Sequence, residues 1–168
     1  RLVAMVDPDG FRTTPASITT FVEGVHSSDP ETWQRAVDRG RTLAKASGGP
    51  AVVWLGYQAP SSLSRAVHAE PARGAGQELT RFQRALGARY PQAKRTVVGY
   101  SYGSVVTGHA AKEEKIADDI VLVGSPGADA DHASELHGRI WAATNANDPI
   151  AIATGPQGGI HGPDPTVD

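Results

Sequence analysis

Arg95-Thr96-Val97-Val98-Gly99-Tyr100-Ser101-Tyr102-Gly103-Ser104-Val105-Val106 is the stretch that decides how this chain reads. Its centre, Gly99 to Gly103, is a Gly-x-Ser-x-Gly motif. The letters alone recur by chance, so the setting carries the argument. Arg95 to Val98 reads as a short buried strand. Ser104 to Lys112 reads as a helix of small side chains. A strand, a sharp turn with serine at its tip and then a helix is the context in which this motif presents a nucleophile. Such a turn strains the serine backbone, and the two glycines let strand and helix close around it. The hydroxyl is then held beside the first N–H groups of a helix, which favour a developing negative charge. The plainer alternative is a serine that caps a helix in an ordinary turn.

Length and composition bound the rest. A chain of 168 residues reads as one domain, 1–168, able to bury roughly 70% of its unfolded surface. It has no cysteine, which excludes disulfides, thiolate metal sites and a cysteine nucleophile. The net charge of −2, with dispersed basic residues, gives no nucleic-acid footprint. No apolar run approaches the ~20 residues of a membrane span. No His-x-x-x-His, His-Glu-x-x-His or glycine-rich phosphate loop occurs, so neither a metal nor a cofactor is expected. The chain opens at Arg1, shows no signal peptide, and reads as a piece of a longer protein. Its compartment is left undecided. Plentiful Ala, Gly and Arg with scarce Lys match proteins of high-G+C bacteria.

Further along the chain, Leu2 to Val6 is a strand candidate, and the Asp7-Pro8-Asp9-Gly10 turn would return it as a hairpin through Phe11 to Thr14. Ile18 to Val22 is the next strand, followed by the Glu23 to Ser28 loop. Asp29-Pro30 opens a helix that Gly48-Gly49-Pro50 ends. Ala51 to Tyr57 is apolar throughout, as a strand buried on both faces must be. Gln58 to Arg73 reads as irregular, and Gly74 to Tyr90 as a helix stopped by Pro91. Beyond the serine turn, Asp118 to Gly124 is a strand, Ala130 to Leu136 a short helix and Arg139 to Thr144 a final strand. The expected fold is a three-layer α/β/α sandwich, mostly parallel, with an N-terminal antiparallel hairpin. The carboxyl ends of its strands then bring together the Gly24 to Ser28 loop, the Ser101 turn and the Asn145 to Asp148 loop.

These blocks resemble the α/β-hydrolase superfamily, and more closely a poorly characterised α/β-hydrolase family common in high-G+C bacteria. The resemblance rests on Leu55 to Pro60, Val98 to Ser104, Asp118 to Pro126, Asn147 to Ile150 and His161 to Pro165. It implies the order Ser, Asp, His along the chain. Ser101 is then the nucleophile, Asp148 the acid and His161 the base of an acyl-transferring serine hydrolase. Asp129 and Asp131 are rivals for the acid. Related chains continue past the His161 block to a later Gly-His element, so the base is alternatively expected beyond Asp168. The oxyanion hole would use the N–H of Tyr102 and that of Val25. His26, Tyr57 and Tyr100 would line the substrate pocket, with an ester or other acyl compound as substrate. The segment between Gly124 and Arg139 is too short for a lid domain, which leaves Gln58 to Arg73 as the movable wall of the site. His109 lies two helical turns beyond Ser101, about 12 Å away at ~1.5 Å rise per residue; His68 is read as a rim or surface residue, and His132 and His137 as solvated. A competing expectation is a non-catalytic module of the same fold, used for binding.

Overall fold

The structure is a computed structural model that describes residues 2–10, 12–24, 30–55, 70–124 and 133–143. Six strands form one sheet: β1 (Leu2–Val6), β2 (Ser17–Val22), β3 (Ala51–Leu55), β4 (Lys94–Tyr100), β5 (Asp119–Val123) and β6 (Arg139–Ala143). The helices are α1 (Pro30–Ser47), α2 (Glu70–Arg89) and α3 (Tyr102–Glu113), with a 3-10 turn at Ala133–Glu135. The spatial order is β1-β3-β2-β4-β5-β6. Only β1 runs antiparallel to its neighbour, and every other pairing is parallel. The expected mostly parallel α/β sandwich is therefore observed.

The sheet order positions the site. From β2 the chain crosses to β3 on one side, then returns past β2 to β4 and continues to β5 and β6. Strands β2 and β4 are adjacent, with Val22 opposite Gly99. Connections leave them in opposite directions, which opens a crevice at their carboxyl ends. Right-handed crossovers then place α1 on one face and α2 with α3 on the other. The side chains agree. Val53 points at α1, where a Cβ on Gly40 would come 2.7 Å from its Cγ2. Val52 and Trp54 point the other way, into a cluster with Leu79 of α2 and Val105 and Val106 of α3. Burying each such side chain contributes about 1.5–3 kcal/mol. One polar contact crosses this core: Gln83 of α2 donates Nε2–H to Thr20 Oγ1 at 2.8 Å, and both residues are fully buried.

Two boundaries differ from the sequence expectation. Helix α2 starts at Glu70, inside the stretch 58–73 that reads as irregular, so Glu70 to Arg73 are helical. Pro71 looks like a breaker, yet in a first turn its missing N–H forfeits nothing. The N-terminal hairpin is also corrected. The Asp7 to Gly10 turn does form, with Gly10 N–H donating to Asp7 O at 3.1 Å. Residues 12–16 do not return as a strand, and β1 instead pairs antiparallel with β3, Ala4 opposite Val53. The polar residues are held locally, Thr13 Oγ1 to Asp9 Oδ2 at 2.6 Å. A two-stranded ribbon of that length is marginal, whereas β3 offers β1 an apolar partner.

The opposite end of the sheet is fastened by one carboxylate. Asp119 of β5 takes Arg139 Nε at 2.8 Å, Lys94 Nζ at 3.1 Å and Trp141 Nε1 at 3.2 Å, which joins β4, β5 and β6. Burial alone would raise its pKa, but hydrogen bonds from Trp141, Arg139 and Lys94 outweigh that and lower it to about 2. A depressed carboxylate stabilises the fold above its unfolded pKa of ~3.9 and loses that contribution as pH falls toward 2. Asp119→Asn should therefore lower the melting temperature at pH 7 and flatten its fall between pH 4 and 2. Thermal melts of both proteins across that range check this.

Candidate active site

At the carboxyl end of β4, Ser101 has φ 54° and ψ −124°. It is the only non-glycine residue with positive φ among the described residues. The conformation is held from both sides. Ser101 N–H donates to Val123 O of β5 at 2.9 Å, and Ser101 O accepts from Ser104 N at 3.0 Å and from the Ser104 hydroxyl. The glycines are steric requirements. A Cβ on Gly99 would lie 2.7 Å from Thr107 Oγ1, and one on Gly103 only 2.2 Å from Val22 O. Although Ser101 stands at the cap position of α3, its side chain makes no capping hydrogen bond. The plain helix-cap reading therefore fails. Ser101 is buried at the end of β4, its Cβ beside Gly24 at the end of β2, on a backbone strained by ~1–3 kcal/mol.

Tyr102 is the first residue of α3, directly after Ser101. Its ring is fully buried under α2. Burial pushes the phenol up to about 12, partly offset by a backbone hydrogen bond at Ala72, so it stays protonated at neutral pH. Tyr100 is 38% exposed. Its ring stacks on Phe21 at 6.1 Å between centroids, and the Arg39 guanidinium lies 5.1 Å from its centre.

The end of β2 closes against this turn. A Cβ on Gly24 would come 3.0 Å from Tyr100 O, 3.1 Å from Ser101 Cβ and 3.5 Å from Tyr102 N. The preceding residue, Glu23, is buried and paired with Arg39 of α1 at 3.0 Å. Sequence reasoning missed this pair. The available signal was a carboxylate at the end of an apolar strand, a place that demands a cation.

A family model described as "Alpha/beta hydrolase" matches residues 12–157. The chain belongs to the α/β-hydrolase family. Its sequence relatives include uncharacterised proteins of Mycobacterium tuberculosis and Mycobacterium bovis, 38% identical over 105 residues, which cover 60% of this chain and 40% of theirs. The chain thus spans well under half the length of these relatives. Among solved structures, an α/β serine hydrolase without lid from Xanthomonas campestris superposes with a TM-score of 0.60 at 16% identity, over 89% of this chain and 69% of that one. A Trichoderma reesei cutinase gives 0.55 at 18% identity, over 87% and 66%. At such identities the likeness shows the fold.

Within this α/β-hydrolase domain, the structure brings Ser101, Tyr100 and the Tyr102 N–H to one crevice beside Gly24. Asp148, His161, Val25, His26 and Tyr57 lie outside the described residues, as do Asp129, Asp131, His68 and His132. His109 is buried against α2, with its Cβ 2.9 Å from the Cβ that Gly76 lacks. It stands two helical turns from Ser101. His137 is exposed at the far end of α3, where its N–H donates to Ala111 O at 2.9 Å. Neither histidine is at the serine. A cavity of about 720 Å³ lies between α2 and α3 beside Arg84 and His109, and Ser101 does not line it.

The strained turn has a measurable consequence. Glycine adopts the Ser101 conformation without a Cβ penalty, at a cost of roughly 0.5–1 kcal/mol in unfolded-chain entropy. Ser101→Gly should raise the melting temperature by about 2–4 °C, whereas Ser101→Ala, which keeps the strain, should leave it unchanged. Differential scanning calorimetry of the two variants checks this.

Proposed function

We infer that this α/β-hydrolase is a serine hydrolase that cleaves an ester, thioester or amide by acyl transfer through Ser101. The observation that carries the reading is the strained, sterically enforced Ser101 conformation, with its hydroxyl unused by the helix cap, at the crevice between β2 and β4. A cap or a packing serine needs none of that strain. The lidless serine hydrolase and the cutinase whose folds superpose on the chain support the class of reaction.

In this mechanism a neutral His161 accepts the Ser101 proton as the serine oxygen attacks the acyl carbon. Asp148 orients the imidazole and stabilises its protonated form. The carbonyl oxygen gains negative charge and is met by the N–H groups of Tyr102 and Val25. Collapse of the tetrahedral intermediate returns the proton to the leaving alcohol, thiol or amine. Water, deprotonated by the same histidine, then releases the acid and restores Ser101. Tyr100 would line the acyl site with His26 and Tyr57.

A fluorophosphonate probe and a short-chain nitrophenyl ester test the reading on the full-length protein. The wild type should label once per chain and hydrolyse the ester. Ser101→Ala should abolish labelling and lower hydrolysis by at least a few thousand-fold. His161→Ala and Asp148→Ala should each be severely impaired, since such residues act as a unit. A wild type that neither labels nor turns over defeats the reading and leaves a binding module. Activity that survives His161→Ala moves the base to another histidine.

A further inference from the structure

We propose that the cavity between α2 and α3 binds an oligophosphate chain, at a site separate from the serine and independent of the hydrolase reading. The cavity holds about 720 Å³, within the ~300–1,000 Å³ of small-ligand sites. One stripe of each helix forms its walls. On α2, Arg73, Gln77, Arg81 and Arg84 recur at the three- and four-residue spacing of a single helix face. On α3, the stripe is His109, Lys112 and Glu113, with Glu114 at the cap position. The helices close on each other at Gly76, where a Cβ would come 2.9 Å from His109 Cβ and 3.3 Å from Ala110 N. That contact makes a buried floor, to which the His109 imidazole belongs at 8% exposure. The arginines and Lys112 stand exposed on the rim above it.

Charge and chemistry select the occupant. Three arginines and one lysine line the cavity against two carboxylates, in a chain whose net charge is −2. Two of the arginines sit in ion pairs: Arg81 with Glu78 at 2.8 Å, and Arg84 with Glu114, Nε to Oε2 at 3.0 Å. Both arginine side chains are largely exposed. Such surface pairs are worth only ~0–1 kcal/mol, so they open readily for a denser anion. Guanidinium forks match phosphate oxygens two at a time. Arg73 and Arg84 lie three helical turns apart on α2, about 16 Å at ~1.5 Å rise per residue. One phosphate group cannot bridge that span, whereas a chain of them follows it. The lining also argues against a protein partner. Apart from Gly76 and Ala110, every described residue of the cavity is polar or charged. Protein interfaces are carried by buried aromatic and aliphatic anchors, and none lines the cavity among the described residues. Nucleic-acid bases would likewise find no ring to stack on. A ligand here is held by charge and hydrogen bonds, which suits a compact, densely charged anion.

The test is calorimetric titration of the full-length protein with sodium tripolyphosphate, without divalent cations and at ~0.1 M salt, where attraction between exposed charges is screened beyond about 10 Å. One tripolyphosphate should bind per chain. Arg73→Gln and Lys112→Gln should each weaken binding about tenfold, the scale of one charged hydrogen bond. Glu113→Gln, which removes a like charge from the rim, should tighten it severalfold. These three side chains are exposed, so the variants should fold as the wild type does. Arg35→Gln removes the same charge from α1, outside the cavity, and should leave affinity unchanged. ATP distinguishes the source of the chain. Affinity equal to or below that of tripolyphosphate assigns the site to the free chain, and tighter binding that the same variants weaken assigns it to a nucleotide's. A wild type that binds neither overturns the proposal, as do Arg73→Gln and Lys112→Gln variants that bind like the wild type. A loss as large with Arg35→Gln also overturns it, since net charge alone would then be at work. So does a tetraglutamate peptide that binds as tightly as tripolyphosphate, which would make the cavity a dock for acidic protein segments.

Discussion

A methyl group at position 103 would lie 2.2 Å from the carbonyl oxygen of Val22, and much of the architecture follows from its absence. Without it, the first turn of α3 closes onto the last residue of β2. That contact sets the distance between the two strand ends that flank the crevice. It also leaves Ser101 no relaxed route from strand to helix, so the residue takes a conformation that side chains rarely adopt. The cost is met by interactions on every side: Val123 below, Ser104 ahead and the glycines that make room. Strain at one atom is thus the outcome of close packing at many.

Backbone and side chains share the work unevenly at this site. Tyr102 begins α3 with its backbone, while its phenol is buried under α2. Tyr100 supplies a ring that Arg39 can lie against. Glu23 is buried, pairs with Arg39 and accepts the Gly24 N–H. The two ends of the sheet are also unlike each other. At the amino end, Asp119 gathers three donors and ties strands together. At the carboxyl end, comparable close contacts hold a single residue under tension.

Much of this was legible in the sequence because steric demands leave marks. The geometry around Ser101 was legible through its setting, a buried strand before the motif and a helix of small residues after it, which the two glycines let close around the serine. Ala51 to Tyr57 reads as a strand buried on both faces because it is apolar throughout, and the strand described there is Ala51–Leu55. Pro71 misled, because proline signals both the break and the first turn of a helix. The Phe11 to Thr14 segment misled for a related reason. A strong turn at Asp7 to Gly10 predicts that the chain reverses, but not which strand β1 then joins. The Glu23–Arg39 pair carried no periodic signal. Its two charges come from different elements and meet only after the sheet has formed. The roles given to Asp148, His161 and Val25 stay with the resemblance that named them, since those residues lie outside the described ones.

The reversal of strand order between β2 and β4 also has a bearing on how the chain is made. Val22 and Gly99 pair directly, yet α1, β3 and α2 lie between them along the chain. As the polypeptide emerges from the ribosome, β2 can pair with β3 on one side well before β4 exists. Its other edge, Ser17-Ile18-Thr19-Thr20-Phe21-Val22, waits with open hydrogen-bonding groups. That hexamer has no charge and no proline, and it is rich in β-branched residues, the composition that recruits strands from other chains. The place where the site will form is thus an adhesive edge of the nascent protein, and the arrival of β4 closes that edge in the same step that delivers Ser101.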